Sequence, residues 1–180
     1  MASINGIEIK NLKTFRDHEG APISQGDIWC DGKKIGFWSQ DSWGGPDMFH
    51  DCEAVVTERA KLFAEGYPKE AKYADFQDDP SILLGHLVML KEEEKTYNRY
   101  FKQGYPTLVC VTDGHHYCSR VFKATLTKEH LKSKAIKPYI DEMRKKMFEG
   151  RESRVYMYTS KADFRITCDK NHPVPEQFVD

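Results

Sequence analysis

His115 and His116 make the densest cluster of chemistry-bearing side chains in the 180-residue sequence, inside Asp113-Gly-His-His-Tyr-Cys118. Imidazole binds transition metals and titrates near neutral pH. A hairpin bearing His, followed by a helix that carries His130, suggests a ββα-type metal-dependent nuclease or hydrolase in which one His activates water. That chemistry needs a further ligand at helical spacing, and the downstream helix supplies mainly Lys. The same pair also reads as two polar residues at an exposed turn. His50-Asp51-Cys52 offers a second chemistry, because a thiol at a helix N-terminus can have its pKa lowered enough to act as a nucleophile. The structural alternative has Asp51 capping the helix and Cys52 on its apolar face. Cys168 and His172 have a ligand-like spacing, without the second pair that closes a zinc site. Gly44-Gly45 lacks the Gly-Lys-Ser/Thr ending of a phosphate loop, and neither Gly-x-Ser-x-Gly nor Gly-x-Gly-x-x-Gly occurs. The motifs thus point away from an enzyme and toward a binding protein.

Charge layout is more informative than any motif. Between Ser119 and Arg154 eleven Lys and Arg face five acids, a local balance of +6. Between Asp41 and Pro80 ten acids face four bases, a balance of −6. The net charge of −1 conceals this bipolar arrangement. A Lys-rich helix face is either a solvated surface or a footprint for a phosphate backbone or an acidic partner. On one continuous helix, Lys132 and Lys146 would stand about four turns apart at ~3.6 residues per turn, projecting from one side. Lys128 and Lys145 would lie near that line, making a basic ridge that nucleic acid could follow. A second candidate surface is aromatic. Trp29, Phe37, Trp38 and Trp43 crowd one short segment, and side-chain alternation along a strand cannot turn all of them inward. Trp38 and Trp43 are the expected partner anchors.

The elements that must hold these groups follow from periodicity and turn chemistry. Ile7 and Ile9 alternate with charged residues in a half-buried first strand, and the polar stretch 16–26 reads as a loop. Asp31-Gly32 between two β-prone runs predicts a tight hairpin, and the Trp43–Pro46 segment should then end the sheet. A helix capped by Asp51 runs to about Phe63 with Cys52, Val55, Val56, Ala60 and Phe63 on one face, and Gly66 stops it. Asp79-Pro80 opens a second helix with Leu83, Leu87, Leu90, Tyr97 and Phe101 inward and Lys91, Glu92, Glu93 and Lys95 outward. The apolar run 107–112 suits a strand covered on both faces. Asp113-Gly114 turns into a partner strand, Tyr117–Phe122. Thr127 caps a third helix over 128–148, with Leu131, Ala135, Tyr139, Met143 and Met147 as its stripe, and Pro138 must kink or restart it. A last hairpin pairs 154–158 with 164–168 around a turn at 160–163, and a polar tail carries Pro173 and Pro175.

Hairpins with helices between them define an α+β protein: an antiparallel sheet with about three helices packed on it. A length of 180 residues without a Pro/Gly/Ser-rich linker suits one domain, with regions 1–50, 51–104 and 105–180. No apolar run approaches the ~20 residues that span a bilayer. The first residues lack the basic and apolar regions of a secretory signal, and five cysteines cannot all pair. The expectation is a cytoplasmic protein with free thiols and no membrane partner.

Asp31-Gly-Lys-Lys-Ile-Gly-Phe-Trp38, followed by Asp41-Ser-Trp-Gly-Gly-Pro46, resembles the N-terminal hairpin of small proteins encoded by phages and other mobile elements. The Val111-Thr-Asp-Gly114 hairpin leading to a Lys-rich helix is similar in style. Within that group the chain is similar to anti-CRISPR inhibitors of Cas9. The resemblance implies a stoichiometric, cofactor-free inhibitor of Cas9 or its guide RNA complex, working in the host cell cytoplasm. It supplies no catalytic residues. The alternatives are the metal-dependent nuclease or hydrolase using His115 and His116, and a general nucleic-acid-binding protein using the basic region 119–154.

Overall fold

The computed structural model describes residues 1–66, 78–112, 116–151 and 153–172. The architecture is α+β, with mostly antiparallel strands in two sheets. The chain divides into two compact units. The first takes Met1–Lys91 and resumes at Arg165, and the second is built on Glu92–Phe164. No helix among the described residues is long and apolar enough to cross a membrane.

The first unit holds a six-stranded sheet in the order β5-β4-β3-β2-β1-β9. Its strands are β1 (Ser3–Ile4), β2 (Ile7–Arg16), β3 (Pro22–Cys30), β4 (Lys33–Ser39), β5 (Met48–His50) and β9 (Arg165–Ile166). Asp31 and Gly32 take φ of 48° and 81°, as a primed two-residue turn requires, and join β3 to β4 as the sequence predicts. Asn5-Gly6 repeats that chemistry with φ of 47° and 79°, joining β1 to β2. The stretch expected as a loop over 16–26 is corrected to strand beyond a short connection at 17–21, because β2 and β3 pair along their full polar ends. The sheet does not end at Pro46 either, since β5 pairs with β4. Ile7, Ile9, Ile28 and Trp38 are buried on one side. Cross-strand register sets Lys13, Phe15, Ile23, Gln25, Ser39 and Met48 on the other.

Helix α1 spans Glu53–Gly66 and buries Val56, Ala60 and Phe63. Asp51 does not cap it. Asp51 has left-handed φ, 62°, and the Cys52 carbonyl accepts the first helical bond from Val56 N–H at 3.0 Å. Gly66 closes the helix against the backbone of Asp169, where a Cβ would come within 2.4 Å of the carbonyl oxygen. Helix α2 (Pro80–Phe101) begins as predicted, with Asp79 Oδ1 accepting Ser81 N–H at 2.7 Å. Leu83, Leu87, Leu90 and Tyr97 are buried as expected, whereas Phe101 is exposed. Glu93, expected outside, is 4% exposed. Its place three residues after Leu90 and four before Tyr97 puts it on the apolar stripe, which chemical type alone had hidden.

In the second unit β6 (Thr107–Thr112) is flanked by β7 (Tyr117–Phe122) and β8 (Arg154–Tyr158), and all six of its residues are buried. One face carries Val109, Val111 and Val155, which form a core with Leu126, Leu131, Ile140 and Phe148. The other face carries Leu108, Cys110, Tyr156 and Tyr158, and meets Glu93 and Phe164. Two-sided cover explains the uninterrupted apolar run of β6. The expected 128–148 helix is two pieces, α3 (Lys128–Leu131) and α4 (Lys137–Phe148). Pro138 sits in the first turn of α4, where its missing N–H costs nothing, so the chain restarts rather than kinks. The break resets the apolar phase: Ile140 and Phe148 are buried, while Tyr139 and Met147 are exposed. The last hairpin is also corrected, because β8 pairs with β6 while β9 pairs in parallel with β1. Asp163 Oδ2 ties the intervening turn by accepting the N–H groups of Thr159 and Ser160.

Candidate interaction surface

Trp43 is the largest exposed apolar side chain among the described residues, at 76%. It lies on the connection between β4 and β5, and that connection is fixed by its own polar groups. Asp41 accepts Trp43 N–H with one carboxylate oxygen at 3.2 Å and Gly45 N–H with the other at 2.9 Å. Any Cβ at Gly45 would collide with that carboxylate, and Gly44 supplies φ of 77°. From the β2–β3 connection His18 reaches across, bonding the Ser42 carbonyl through Nδ1 at 2.8 Å and stacking on the indole at 4.1 Å between centroids. The β2–β3 connection is itself held by Asp17 Oδ1, which accepts the N–H groups of Glu19 and Ala21. The exposed indole is therefore positioned before any partner arrives, so little order is lost on binding. Phe15 and Met48 are also exposed on this unit.

Trp38, the other expected anchor, is corrected to a core residue. It is 1% exposed, and its Nε1–H donates to Asp47 Oδ2 at 2.7 Å. Burial raises the Asp47 pKa, against the pull of that bond. Strand alternation separates the two: Trp38 points inward from β4, whereas Trp43 has left the strand. Trp29 is half-buried beneath the Lys10 ammonium, 3.6 Å from the ring centroid.

The basic ridge expected from Lys128, Lys132, Lys145 and Lys146 is not one line. Lys128 opens α3, Lys132 follows its end, and Lys145 and Lys146 lie in the last turn of α4. All four are exposed. Lys146 Nζ donates to Glu142 Oε1 at 2.6 Å, and Glu142 also faces Arg120 at 3.6 Å, so part of the positive charge is met on its own surface. Arg120 in turn lies 3.8 Å from the Tyr139 ring centroid.

The residues that suggested catalysis take other parts. His115, with Asp113 and Gly114, lies outside the described residues, as do Pro173 and Pro175. His116 is exposed, and its carbonyl accepts the Thr112 hydroxyl. His130 Nδ1 accepts the Thr127 N–H at 3.0 Å, so this imidazole closes the start of α3. Burial pushes the Cys52 thiol pKa up, opposite to what a nucleophile needs. Cys168 is pushed up to about 12 by burial, and His172 bonds Asp169 instead. No group of three or more His, Cys, Asp or Glu among the described residues is arranged to hold a metal ion. A polar cavity of about 260 Å³ in the first unit is lined by Asn5, Gly6, Asp31, Arg59, Leu62, Thr167 and Asp169. Within it Arg59 already pairs with Asp31 at 3.1 Å.

Sequence reasoning missed two groups. His18 and Asp41 shape the Trp43 platform, and the Asp-Ser-Trp-Gly-Gly run was their only local signal. Glu93 is fully enclosed in the second unit, where Tyr158 Oη–H donates to its Oε2 at 2.5 Å. Compared with protein-family models, with curated proteins and with solved structures, the chain matches none.

Proposed function

We propose that this chain is a non-enzymatic interaction protein, an anti-defence inhibitor that engages Cas9 or its guide RNA complex through the Trp43 loop. The observation that carries the binding role is Trp43 itself. A large apolar ring held 76% exposed by a stacked imidazole and an Asp41-tied turn costs solvation, and contributes nothing to the core. Aromatic side chains in this state dominate the energetics of protein interfaces. The hairpin that leads to the loop supplies the named partner. Its resemblance to phage anti-CRISPR proteins runs through Trp38 and on to Pro46.

The test is target cleavage by purified Cas9–guide complex with increasing amounts of this protein, wild type and Trp43→Ala. Inhibition saturating near one equivalent, and weakened at least about tenfold by the substitution, is expected for an anchor residue. Unchanged cleavage at large molar excess overturns the partner, and equal inhibition by both forms overturns the site.

A further inference from the structure

We infer that the Trp43 platform is shaped for a cationic side chain, an Arg or Lys presented by a protein partner. This inference rests on the binding role proposed above and specifies its chemistry. His18 covers one face of the indole at 4.1 Å, and the high exposure of the ring leaves its other face available. The face of an indole carries the negative lobe of its quadrupole, and a guanidinium or ammonium is the group it attracts most.

The charges around the ring agree with that preference. The two connections that build the platform, residues 17–21 and 40–47, hold Asp17, Glu19, Asp41 and Asp47, and with Arg16 at the end of β2 the local balance is −3. Arg16 is engaged on its own connection, donating to the Gly20 carbonyl at 2.5 Å. Glu19 is the most open of the acids, 79% exposed at its side chain, and lies 3.7 Å from the His18 Nε2. Asp41 is linked to the Trp43 backbone by hydrogen bond. A cation over the free indole face would thus rest on an aromatic floor, beside connections of net negative charge. An acidic peptide or a phosphate backbone would meet repulsion at the same place.

A short acetylated peptide, Gly-Arg-Gly-Arg-Gly amide, and its Glu-for-Arg counterpart are titrated into the intact protein, with binding followed by calorimetry at 50 and 300 mM salt. The expected result is binding of the Arg peptide only, weaker at high salt, abolished by Trp43→Ala and reduced about threefold or more by Glu19→Gln. Glu19 faces His18 Nε2 at 3.7 Å, and in the second variant His18 keeps its bond to the Ser42 carbonyl and with it the stack on Trp43. Binding of the Glu peptide as well as the Arg peptide, or equal binding of the Arg peptide by Trp43→Ala, overturns the inference. If Trp43→Ala loses Cas9–guide inhibition while the Arg peptide neither binds nor competes, the cationic assignment falls and the binding role stands. If the Arg peptide binds as expected and Cas9–guide cleavage is untouched, the named partner falls alone.

Discussion

Glu93 shows how one side chain can link this fold to pH. The carboxyl is enclosed with Tyr158 as a hydrogen-bond donor and Cys110 beside it, and Tyr117 faces it from β7. Burial pushes its pKa up to about 7, and the Tyr158 bond only partly opposes the rise. The unfolded chain releases this proton near the ordinary value of 4.5, while the folded chain keeps it to about 7. The folded state therefore binds more protons between those values. Stability is highest below the unfolded pKa and falls as pH climbs through the window. The loss is of the order of 3 kcal/mol, at about 1.4 kcal/mol per pH unit. Urea denaturation of wild type and Glu93→Gln at pH 5 and pH 8 checks this. The variant should gain roughly 2–3 kcal/mol on the wild type between the two pH values. An unchanged difference would show that the carboxylate is accommodated.

Among the elements, the third helical region separates what pattern can tell from what it cannot. Thr127, Pro138 and the downstream apolar residues were all legible as helix signals, and each has its place in α3 or α4. Pro138 announced a kink or restart, but the extent of the break over 132–136 was not legible, because Lys132, Ser133 and Lys134 are compatible with helix while Leu131 and Ile136 pack into the core of the second unit. The Asp31-Gly32 hairpin, the Asp79-Pro80 start and the doubly covered β6 could be read because local chemistry and tertiary structure agree there. The polar ends of β2 and β3 could not, since their partner strands rather than their own residues make them strands. Of the candidate site, Trp43 was legible as a loop aromatic, but the His18 stack joins two connections and leaves no periodic trace. The restart at Pro138 makes a prediction. Pro138→Ala should change stability by less than about 1 kcal/mol, because a first-turn proline removes no helical bond. Ile140→Ala, in the core, should cost about 2–5 kcal/mol. A large loss from Pro138→Ala in chemical denaturation would mean the proline itself sets the break.

At the scale of the whole molecule, five free thiols sort by enclosure. Cys52, Cys110 and Cys168 are buried, while Cys30 and Cys118 are partly open. Burial is the leading cause of a raised pKa for all five, which keeps thiolate scarce near neutral pH. A disulfide-exchange reagent at pH 8 should label at most two thiols quickly in the native protein and all five in denaturant. Rapid native labelling of a third would show that one of the units opens readily. The parallel pairing of β1 with β9 carries a different consequence. Asn5 donates to the Cys168 carbonyl and accepts its N–H, fastening positions 163 apart in sequence. During vectorial synthesis the chain of Glu92–Phe164 is contiguous and can collapse as it emerges from the ribosome. Ile4 and Ile7, by contrast, have no complete seat until Arg165–Ile166 has followed. At translation rates of about 5–20 residues per second, the sheet edge at β1 stays open for roughly 8–30 seconds. Nascent-chain chaperones would meet the β1 edge throughout that interval.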